Sequence, residues 1–229
     1  VSVVATAGCC RSLDLKTGKA VWTYSDVQGF VECRAYVDQE QVVFGTWGNR
    51  LYSLDPQTGA LQWEWKCEKP SRMYSPAAVW PVKACGKIFI AVPDRRLYAL
   101  DAATGKELRH YEKSAREAVG VSPDGKKVYC KSMWHTITSV DAASLEVDWR
   151  AETGAGYEIS PTSIVRIGDE VIMPTDKGNI IGFNAEDGGR LWARKISIAL
   201  VNPMEVWSDG GVTYILASTM DGTVTLLRK

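Results

Sequence analysis

The chain has 229 residues, and its 27 basic and 27 acidic side chains give a formal net charge of zero. Because this balance creates no long-range field of one sign, it disfavours nucleic acid and anionic membranes as partners. No apolar run approaches the roughly 18 residues that span a bilayer, so no transmembrane segment is expected. The opening residues, VSVVATAG, lack the basic flank and the length of a signal peptide. They begin without Met inside an alternating apolar segment, which favours a processed or trimmed chain.

A short motif recurs along the whole chain and ends at an aspartate or at a residue that replaces it. The six copies read CRSLD, RLYSLD, RLYALD, ITSVD, IIGFN and VTLLR, and they end at Asp14, Asp55, Asp101, Asp141, Asn184 and Arg228. The intervals between these ends are 41, 46, 40, 43 and 44 residues. A period of about 40 to 50 residues in a strand-rich chain is typical of propeller blades.

A tight turn ending in glycine follows the first three copies, with the sequences LKTG, PQTG and AATG. Gly18, Gly59 and Gly105 supply the positive φ that such a hairpin connection requires. The fourth and fifth copies vary the turn as AASL and AEDG. Eight residues after the end of the motif lies a tryptophan in four of five copies, with Arg109 as the exception. These tryptophans are Trp22, Trp63, Trp149 and Trp192.

Each repeat also contains a strand-rich run before the motif, bounded by turn residues. The repeat therefore predicts four antiparallel strands, A to D from the axis outward, which span about residues 29–37, 41–46, 50–55 and 61–67 in the second copy. A lone four-stranded sheet cannot bury both faces, so the copies must stack around an axis. The prediction is an all-β, six-bladed β-propeller of four-stranded antiparallel blades. One domain spans 1–229, with blades at about 1–28, 29–68, 69–112, 113–152, 153–195 and 196–229.

The strand count predicts how the ring closes. The first copy has B, C and D but no A, whereas the last has A near 199–207, then B and C but no D. Six copies at a spacing of about 43 residues need about 28 more residues than the 229 present, enough for two strands and their connection. We therefore expect an upstream segment of the natural chain to supply the missing D and A strands, with Val1 and Lys229 in neighbouring blades.

The phrases LYSLDPQTGALQWEWK and LYALDAATGKELRHY closely resemble the YALDxxTGxxxW repeats of the pyrroloquinoline-quinone-like (PQQ-like) propeller superfamily, over essentially the whole chain. In that family the Thr-Gly turn and the Trp dock one blade against the next, which implies this role for Trp22, Trp63, Trp149 and Trp192. A large ring with one N–H group suits such a wedge. Members include quinoprotein dehydrogenases, lipoprotein scaffolds for outer-membrane protein assembly, sensor domains of bacterial kinases and accessory domains of calcineurin-like phosphoesterases. The resemblance therefore implies a fold more firmly than a function.

The quinoprotein hypothesis is disfavoured. Cys9-Cys10 is similar to the vicinal disulfide that lies against the cofactor in some alcohol dehydrogenases of the superfamily, but those enzymes have eight blades, a calcium ion and a catalytic aspartate. This sequence has no acidic cluster with metal-loop spacing, and the next copy has Gly48-Asn49 at the same turn. No metal and no cofactor are therefore expected. A second enzyme hypothesis is an accessory propeller domain of a larger enzyme, such as a calcineurin-like phosphoesterase, with an additional domain upstream.

Cysteine and histidine usage indicates neither a zinc site nor a catalytic centre. The six cysteines contain no CxxC pair and have no histidine at ligand spacing, and Cys33 and Cys130 fall among strand residues, where buried free thiols are expected. His110 and His135 fall at opposite ends of their blades by the hairpin count. Neither a GxSxG elbow nor an activated cysteine accompanies them. The cysteines alone leave the redox compartment open.

The candidate binding surface is the face shared by the B-to-C turns and the D-to-A connections. Aromatic and arginine side chains on loops of a rigid frame favour binding of a protein or a small polar ligand, although an ordinary polar rim is the alternative. The sequence thus favours a non-catalytic binding or scaffold module of a bacterial exported protein, periplasmic or extracellular by resemblance only. The candidate residues are Trp47, Asn49, Arg50, Asp94, Arg95, Arg96, Trp134, His135 and Lys177, beside Asp176, Asn179 and the connection 68–74.

Overall fold

A computed structural model describes residues 2–6, 8–67, 80–92, 96–112 and 119–229 of the chain. These residues form antiparallel strands and turns, which confirms the all-β prediction. No helix occurs among them, and hence none that is long and apolar enough to cross a membrane. The chain divides into two compact units, residues 1–113 and 114–229.

The described part of the first unit contains three sheets, in which the strands pair in chain order. The first sheet is β1 (Ser2–Thr6), β2 (Cys9–Leu13) and β3 (Ala20–Tyr24). The second is β4 (Tyr36–Val37), β5 (Val42–Thr46), β6 (Arg50–Leu54) and β7 (Leu61–Lys66). The third is β8 (Val82–Ala84), β9 (Lys87–Val92), β10 (Arg96–Asp101) and β11 (Glu107–Tyr111).

The described part of the second unit contains three sheets of the same kind. The fourth sheet is β12 (Val119–Val121), β13 (Lys127–Lys131), β14 (Trp134–Asp141) and β15 (Val147–Tyr157). The fifth is β16 (Val165–Ile167), β17 (Glu170–Pro174), β18 (Asn179–Asn184) and β19 (Arg190–Lys195). The sixth is β20 (Glu205–Asp209), β21 (Val212–Ser218) and β22 (Val224–Arg228). Four of these six sheets have the four antiparallel strands that the repeat predicts, and the first and the sixth have three.

Strands β5 and β7 of the second sheet differ in burial because β7 keeps one face in solvent. β5 is buried at every position, and its Phe44 pairs with Tyr52 of β6. β7 alternates, with Trp63 and Trp65 buried and their neighbours exposed. A strand covered on both faces requires a continuous apolar run, whereas a strand with one solvated face alternates. The runs VVFGT and LQWEWK show these two patterns.

The A strands of two copies differ from the prediction. β4 covers only Tyr36–Val37 of the expected 29–37. Before it, the carbonyl oxygen of Phe30 accepts the N–H of Trp47 at 2.8 Å, and Gly29 lies so close that a Cβ atom there would be 2.4 Å from the nitrogen of Gly48. Gly29 and Phe30 therefore pass over the B-to-C turn and bond to it, so their backbone does not pair as part of strand A. In the last copy, β20 covers Glu205–Asp209 rather than 199–207.

The turn between the C and D strands explains the fixed spacing of aspartate and threonine. The Oδ1 atom of Asp101 accepts the N–H groups of Ala103 and Thr104 at 3.2 and 2.8 Å and the Thr104 hydroxyl at 2.7 Å. These bonds, above all those from Thr104, hold the pKa of Asp101 below its usual value. Gly105 follows with a φ of 70°. The same contacts occur at Asp14, Asp55 and Asp141.

Three tryptophans lie between successive sheets of their own unit. The Nε1 atom of Trp63 donates to the carbonyl oxygen of Ala102 at 2.9 Å, and the side chain is 6% exposed. A Cβ atom on Gly105 would lie 2.6 Å from the Trp63 ring, so this glycine is required for the contact as well as for its positive φ. Trp22 likewise donates to Pro56 over Gly59, and Trp149 donates to Ala185 over Gly188.

Trp192, the fourth predicted docking residue, has different surroundings. Its Nε1 atom donates to Glu170 Oε2 at 2.7 Å, and its ring covers Gly182, so both contacts lie in its own sheet. The Lys229 ammonium pairs with Glu170 and lies 5.1 Å from the centre of the Trp192 ring. The next copy ends at Arg228, and only one residue follows it in this sequence. That Trp192 docks one blade against the next stays a prediction.

Cys130 and Cys33 were both expected to be buried thiols, and the structure buries them to different extents. Cys130 is fully buried, and burial raises its pKa to about 12. Cys33 is partly buried and accepts the N–H of Gly45 on its sulfur at 3.3 Å, and burial raises its pKa to about 11. Cys10 is a buried free thiol, so the Cys9-Cys10 pair forms no vicinal disulfide here. Burial also raises the pKa of Cys10 to about 12. A raised pKa disfavours the reactive thiolate at all three positions.

Candidate binding site

The B-to-C turn of the second sheet holds Trp47 and Asn49. Trp47 is 38% exposed, and its Nε1 atom donates to Glu32 Oε2 at 3.0 Å. Asn49 has a φ of 59°, in the left-handed region that asparagine enters more readily than most residues. Its carbonyl oxygen accepts the N–H of Cys67 at 3.0 Å. Both residues are therefore held by contacts with residues outside the turn.

The arginines that begin two C strands are engaged in ion pairs. Arg50 pairs with Glu64 across β6 and β7, and Arg96 pairs with Glu112 at 2.6 Å. Partly exposed pairs of this kind contribute at most about 1 kcal/mol to stability. Neither arginine is a free donor for a partner at this face. The remaining candidates of the first unit, Asp94, Arg95 and the connection 68–74, lie outside the described residues.

In the second unit, Trp134 forms an exposed aromatic pair with Tyr157. Their ring centroids lie 4.8 Å apart at 61°, and the side chains are 53% and 43% exposed. The pairing of β14 with β15 passes from Thr136 opposite Glu152 to Trp134 opposite Tyr157, so β15 bulges opposite His135. That bulge carries Tyr157 to the B-to-C end of the sheet, and His135 has a φ of 67°.

Lys177, from the B-to-C turn of the next sheet, holds this bulge. Its ammonium group donates to the carbonyl oxygens of Ala155 and Tyr157. The Lys177 side chain is 48% exposed, and Ile159 beside the bulge is 39% exposed. Two aromatic rings, one aliphatic side chain and one cation thus face solvent together. We call Trp134, Tyr157, Ile159 and Lys177 the Trp134 patch.

A buried ion pair lies beneath the Trp134 patch. Lys131 Nζ lies 3.1 Å from Glu158 Oε1, both side chains are 2% exposed, and Lys131 also donates to the carbonyl oxygen of Pro174 at 3.0 Å. The carboxylate of Glu158 accepts the N–H groups of Ser160 at 2.8 Å and Asp176 at 3.0 Å. Charges buried this deeply require such complete pairing. The pair therefore fixes the connection that carries the patch.

The carboxyl groups of Glu158 and Asp176 are shifted in opposite directions. Burial raises the pKa of Glu158, against the opposing charge of Lys131, and a hydrogen bond to Asp176 adds to the rise. Burial acts on Asp176 in the same sense, but its hydrogen bond with Glu158 and the charge of Lys177 prevail and lower its pKa. Glu158 therefore takes up a proton before Asp176 as the pH falls.

The arrangement of the Trp134 patch suits the binding of a partner. The groups that titrate unusually are enclosed, whereas the groups that reach solvent are aromatic, aliphatic and cationic. Aromatic side chains on a rigid frame bury large areas at little entropic cost and are enriched in interfaces. In the described ranges, no group of three or more His, Cys, Asp and Glu side chains is placed to hold a metal ion.

Sequence reasoning named Trp134, His135 and Lys177 as candidates but did not identify the ion pair or Tyr157. One signal was present: Lys131 occupies the strand position that is Gly45, Ala91 and Pro174 in other copies. A lysine among small residues in a buried strand requires a carboxylate nearby. No comparable signal marks Glu158, because it lies 27 residues away, in a connection whose path depends on the bulge.

A family model and a curated relative of this chain carry the same description. A family model described as outer membrane protein assembly factor BamB matches residues 1–75 and 71–208. BamB of Nitrosomonas eutropha is 25% identical over 220 residues, which are 96% of this chain and 48% of that protein. The quinoprotein glucose dehydrogenase of Escherichia coli is 26% identical over 110 residues, which are 48% of this chain and 11% of that protein. The chain thus spans about half of the length of the BamB relative.

A solved structure agrees at the level of fold. BamB from Moraxella catarrhalis is 18% identical, with a TM-score of 0.68 over 99% of this chain and 72% of that chain. At this identity the likeness shows the shared β-propeller fold alone.

Proposed function

The chain belongs to the PQQ-like propeller family whose model is described as outer membrane protein assembly factor BamB, and from this membership we propose that it is a non-catalytic propeller scaffold of a bacterium. The partner is a protein engaged in outer-membrane assembly. The place of action is the periplasm, through which outer-membrane proteins pass. Family membership supports this proposal over the two enzyme hypotheses.

The architecture proposed for this scaffold is a six-bladed ring. The 40- to 46-residue repeat supports it, as does the run of six sheets in the described residues. The first and sixth sheets have three strands each, and we propose that residues outside this sequence supply one more strand to each. The blade boundaries remain those given by the repeat.

The proposed contact surface is the Trp134 patch. The observation that carries it is the exposed Trp134–Tyr157 pair, held in place by Lys177 and by the buried Lys131–Glu158 pair. Exposed aromatic rings whose positions are fixed from below lose little freedom on binding, which is the usual property of interface hot spots. An extended protein segment that places apolar side chains on the rings and a carboxylate or carbonyl group near Lys177 fits this surface.

The test is a binding titration of the purified chain with protein components of outer-membrane assembly, including an unfolded outer-membrane protein. We expect Trp134→Ala to weaken binding by about tenfold or more, the effect of a hot-spot residue. Because Trp134 is exposed, the variant should keep its circular dichroism spectrum. Leu15→Ala is the matched control, since Leu15 is 74% exposed but lies at a C-to-D turn. Equal losses in both variants, or no loss in Trp134→Ala, would contradict the proposed surface.

A further inference from the structure

A second surface, separate from the Trp134 patch, is a cavity of about 340 Å³ between the outer strands of the second and third sheets. Trp65 of β7 and Tyr98 of β10 form its floor, with ring centroids 5.0 Å apart. His110 of β11 extends this aromatic surface, 5.7 Å from Tyr98. The volume lies within the range of small-molecule sites, which combine an apolar floor with a few polar groups.

The carboxylates at this cavity are engaged with neighbouring side chains. Glu107 Oε1 lies 2.7 Å from Nδ1 of His110, and Glu112 Oε1 lies 2.6 Å from the guanidinium of Arg96. The Arg96 guanidinium neutralises the charge of Glu112, and the contact with Glu107 holds the His110 ring at the edge of the cavity. Both carboxylates are thus engaged by neighbouring side chains.

Two lysine side chains at the rim of the cavity differ from these carboxylates in their contacts. Lys66 and Lys106 both line the cavity and are exposed. Neither ammonium group forms an ion pair or a side-chain hydrogen bond with another of the described residues. Two unengaged cations at the mouth of an aromatic cavity create a local positive potential, although the whole chain has no net charge.

We propose that this cavity binds a small aromatic carboxylate. The ring of the ligand lies on Trp65 and Tyr98, and its carboxylate lies between Lys66 and Lys106. An organic cation would meet the two ammonium groups, and a bare inorganic anion would leave the aromatic floor uncovered. The aromatic floor and the two lysines together therefore select a ligand that has both a flat apolar body and one negative charge.

The test uses 1-naphthoate as the probe and the 229-residue chain as the receptor. Binding is followed by tryptophan fluorescence and by the proton NMR resonances of the two histidines. We expect a Kd of about 1 mM or tighter, with the His110 resonances shifted and those of His135 unmoved. His135 serves as an internal control because it lies in the second unit, outside this cavity.

A pair of variants isolates the role of the lysines. Lys66→Ala combined with Lys106→Ala should weaken binding about tenfold or more. Lys19→Ala is the matched control, because Lys19 follows Gly18 as Lys106 follows Gly105 but does not line the cavity, and it should change the Kd less than about twofold.

Each alternative outcome decides against the proposal. Unchanged affinity in the double lysine variant would overturn it, as would equal affinity for the neutral analogue 1-naphthalenemethanol. Absence of binding by fluorescence and NMR, or equal shifts of both histidines, would do the same. These outcomes do not involve the partner of the Trp134 patch, so the two proposals stand or fall separately.

Discussion

Trp63 and Trp192 occupy the same position of the repeat but have different surroundings. Trp63 is 6% exposed, and its N–H group bonds to a carbonyl of the next sheet. Trp192 is only partly buried, and its N–H group bonds to Glu170 of its own sheet. The shared repeat position thus provides an indole ring in both copies, but the partner of its N–H group differs.

The Thr-Gly turns at Gly105 and Gly18 make a similar contrast. Gly105 and Gly18 have φ angles of 70° and 68°, so their backbones are alike. A Cβ atom on Gly105 would collide with Trp63, whereas a Cβ atom on Gly18 would meet no atom within 4 Å. Gly105 therefore provides both the positive φ of the turn and the space for the Trp63 ring, whereas Gly18 provides the positive φ alone. Substitutions at these four residues test that comparison.

The largest effect is expected from Trp63→Ala. Emptying a buried aromatic site reduces the free energy of unfolding by about 3 to 5 kcal/mol. Trp192→Ala should cost about 1 to 2 kcal/mol, because less of the ring is buried and its hydrogen-bond partner stays accessible to water. Urea denaturation followed by circular dichroism measures both values. Equal losses would show that the two tryptophans are equivalent and that the comparison is wrong.

The next effect is expected from Gly105→Ala. The left-handed backbone costs a non-glycine residue about 1 to 2 kcal/mol, and overpacking against Trp63 adds about 1 to 3 kcal/mol. Gly18→Ala is the matched control, since it carries the backbone cost alone. The difference between the two variants in urea denaturation therefore isolates the contact with Trp63. A difference of zero would mean that the turn can move away from the Trp63 ring without loss of stability.

The repeat made the B, C and D strands predictable because each depends on a local sequence pattern. The predicted B, C and D strands of the second copy, 41–46, 50–55 and 61–67, agree within one residue with Val42–Thr46, Arg50–Leu54 and Leu61–Lys66. Strand A was not predictable, since its start depends on the contact between Gly29 and Gly48, which are distant in sequence. Tertiary contacts of this kind override local propensity.

The candidate site was predictable only where turn position decides exposure. Trp134 and Lys177 follow from the hairpin count, because B-to-C turns end at one edge of each sheet. Tyr157 reaches the same edge only through the bulge in β15, and a bulge depends on pairing with a partner strand. Arg50 and Arg96 show the converse, since their position was evident but their pairing with glutamates was not.

The smallest effect concerns the aspartates of the two turns. Hydrogen bonds from Thr104 and Thr17 lower the pKa of Asp101 and of Asp14. A carboxyl whose pKa is lower in the folded state stabilises the fold above its unfolded pKa of about 3.9, and this contribution is lost as the pH falls through the folded value. Asp101→Asn and Asp14→Asn should therefore lower the melting temperature at pH 7, and each variant should approach the parent in acid.

The loss at neutral pH should be larger for Asp101→Asn than for Asp14→Asn. Trp63 donates to the carbonyl oxygen of Ala102, the residue after Asp101, so loosening this turn also loosens the docked ring. The turn at Asp14 has no ring packed on its Gly18. Melting curves of both variants and the parent between about pH 2.5 and 7 measure the effect, over the range in which aspartates titrate. If the two variants lose the same amount at every pH, the turn and the tryptophan act independently, and docking does not depend on the aspartate.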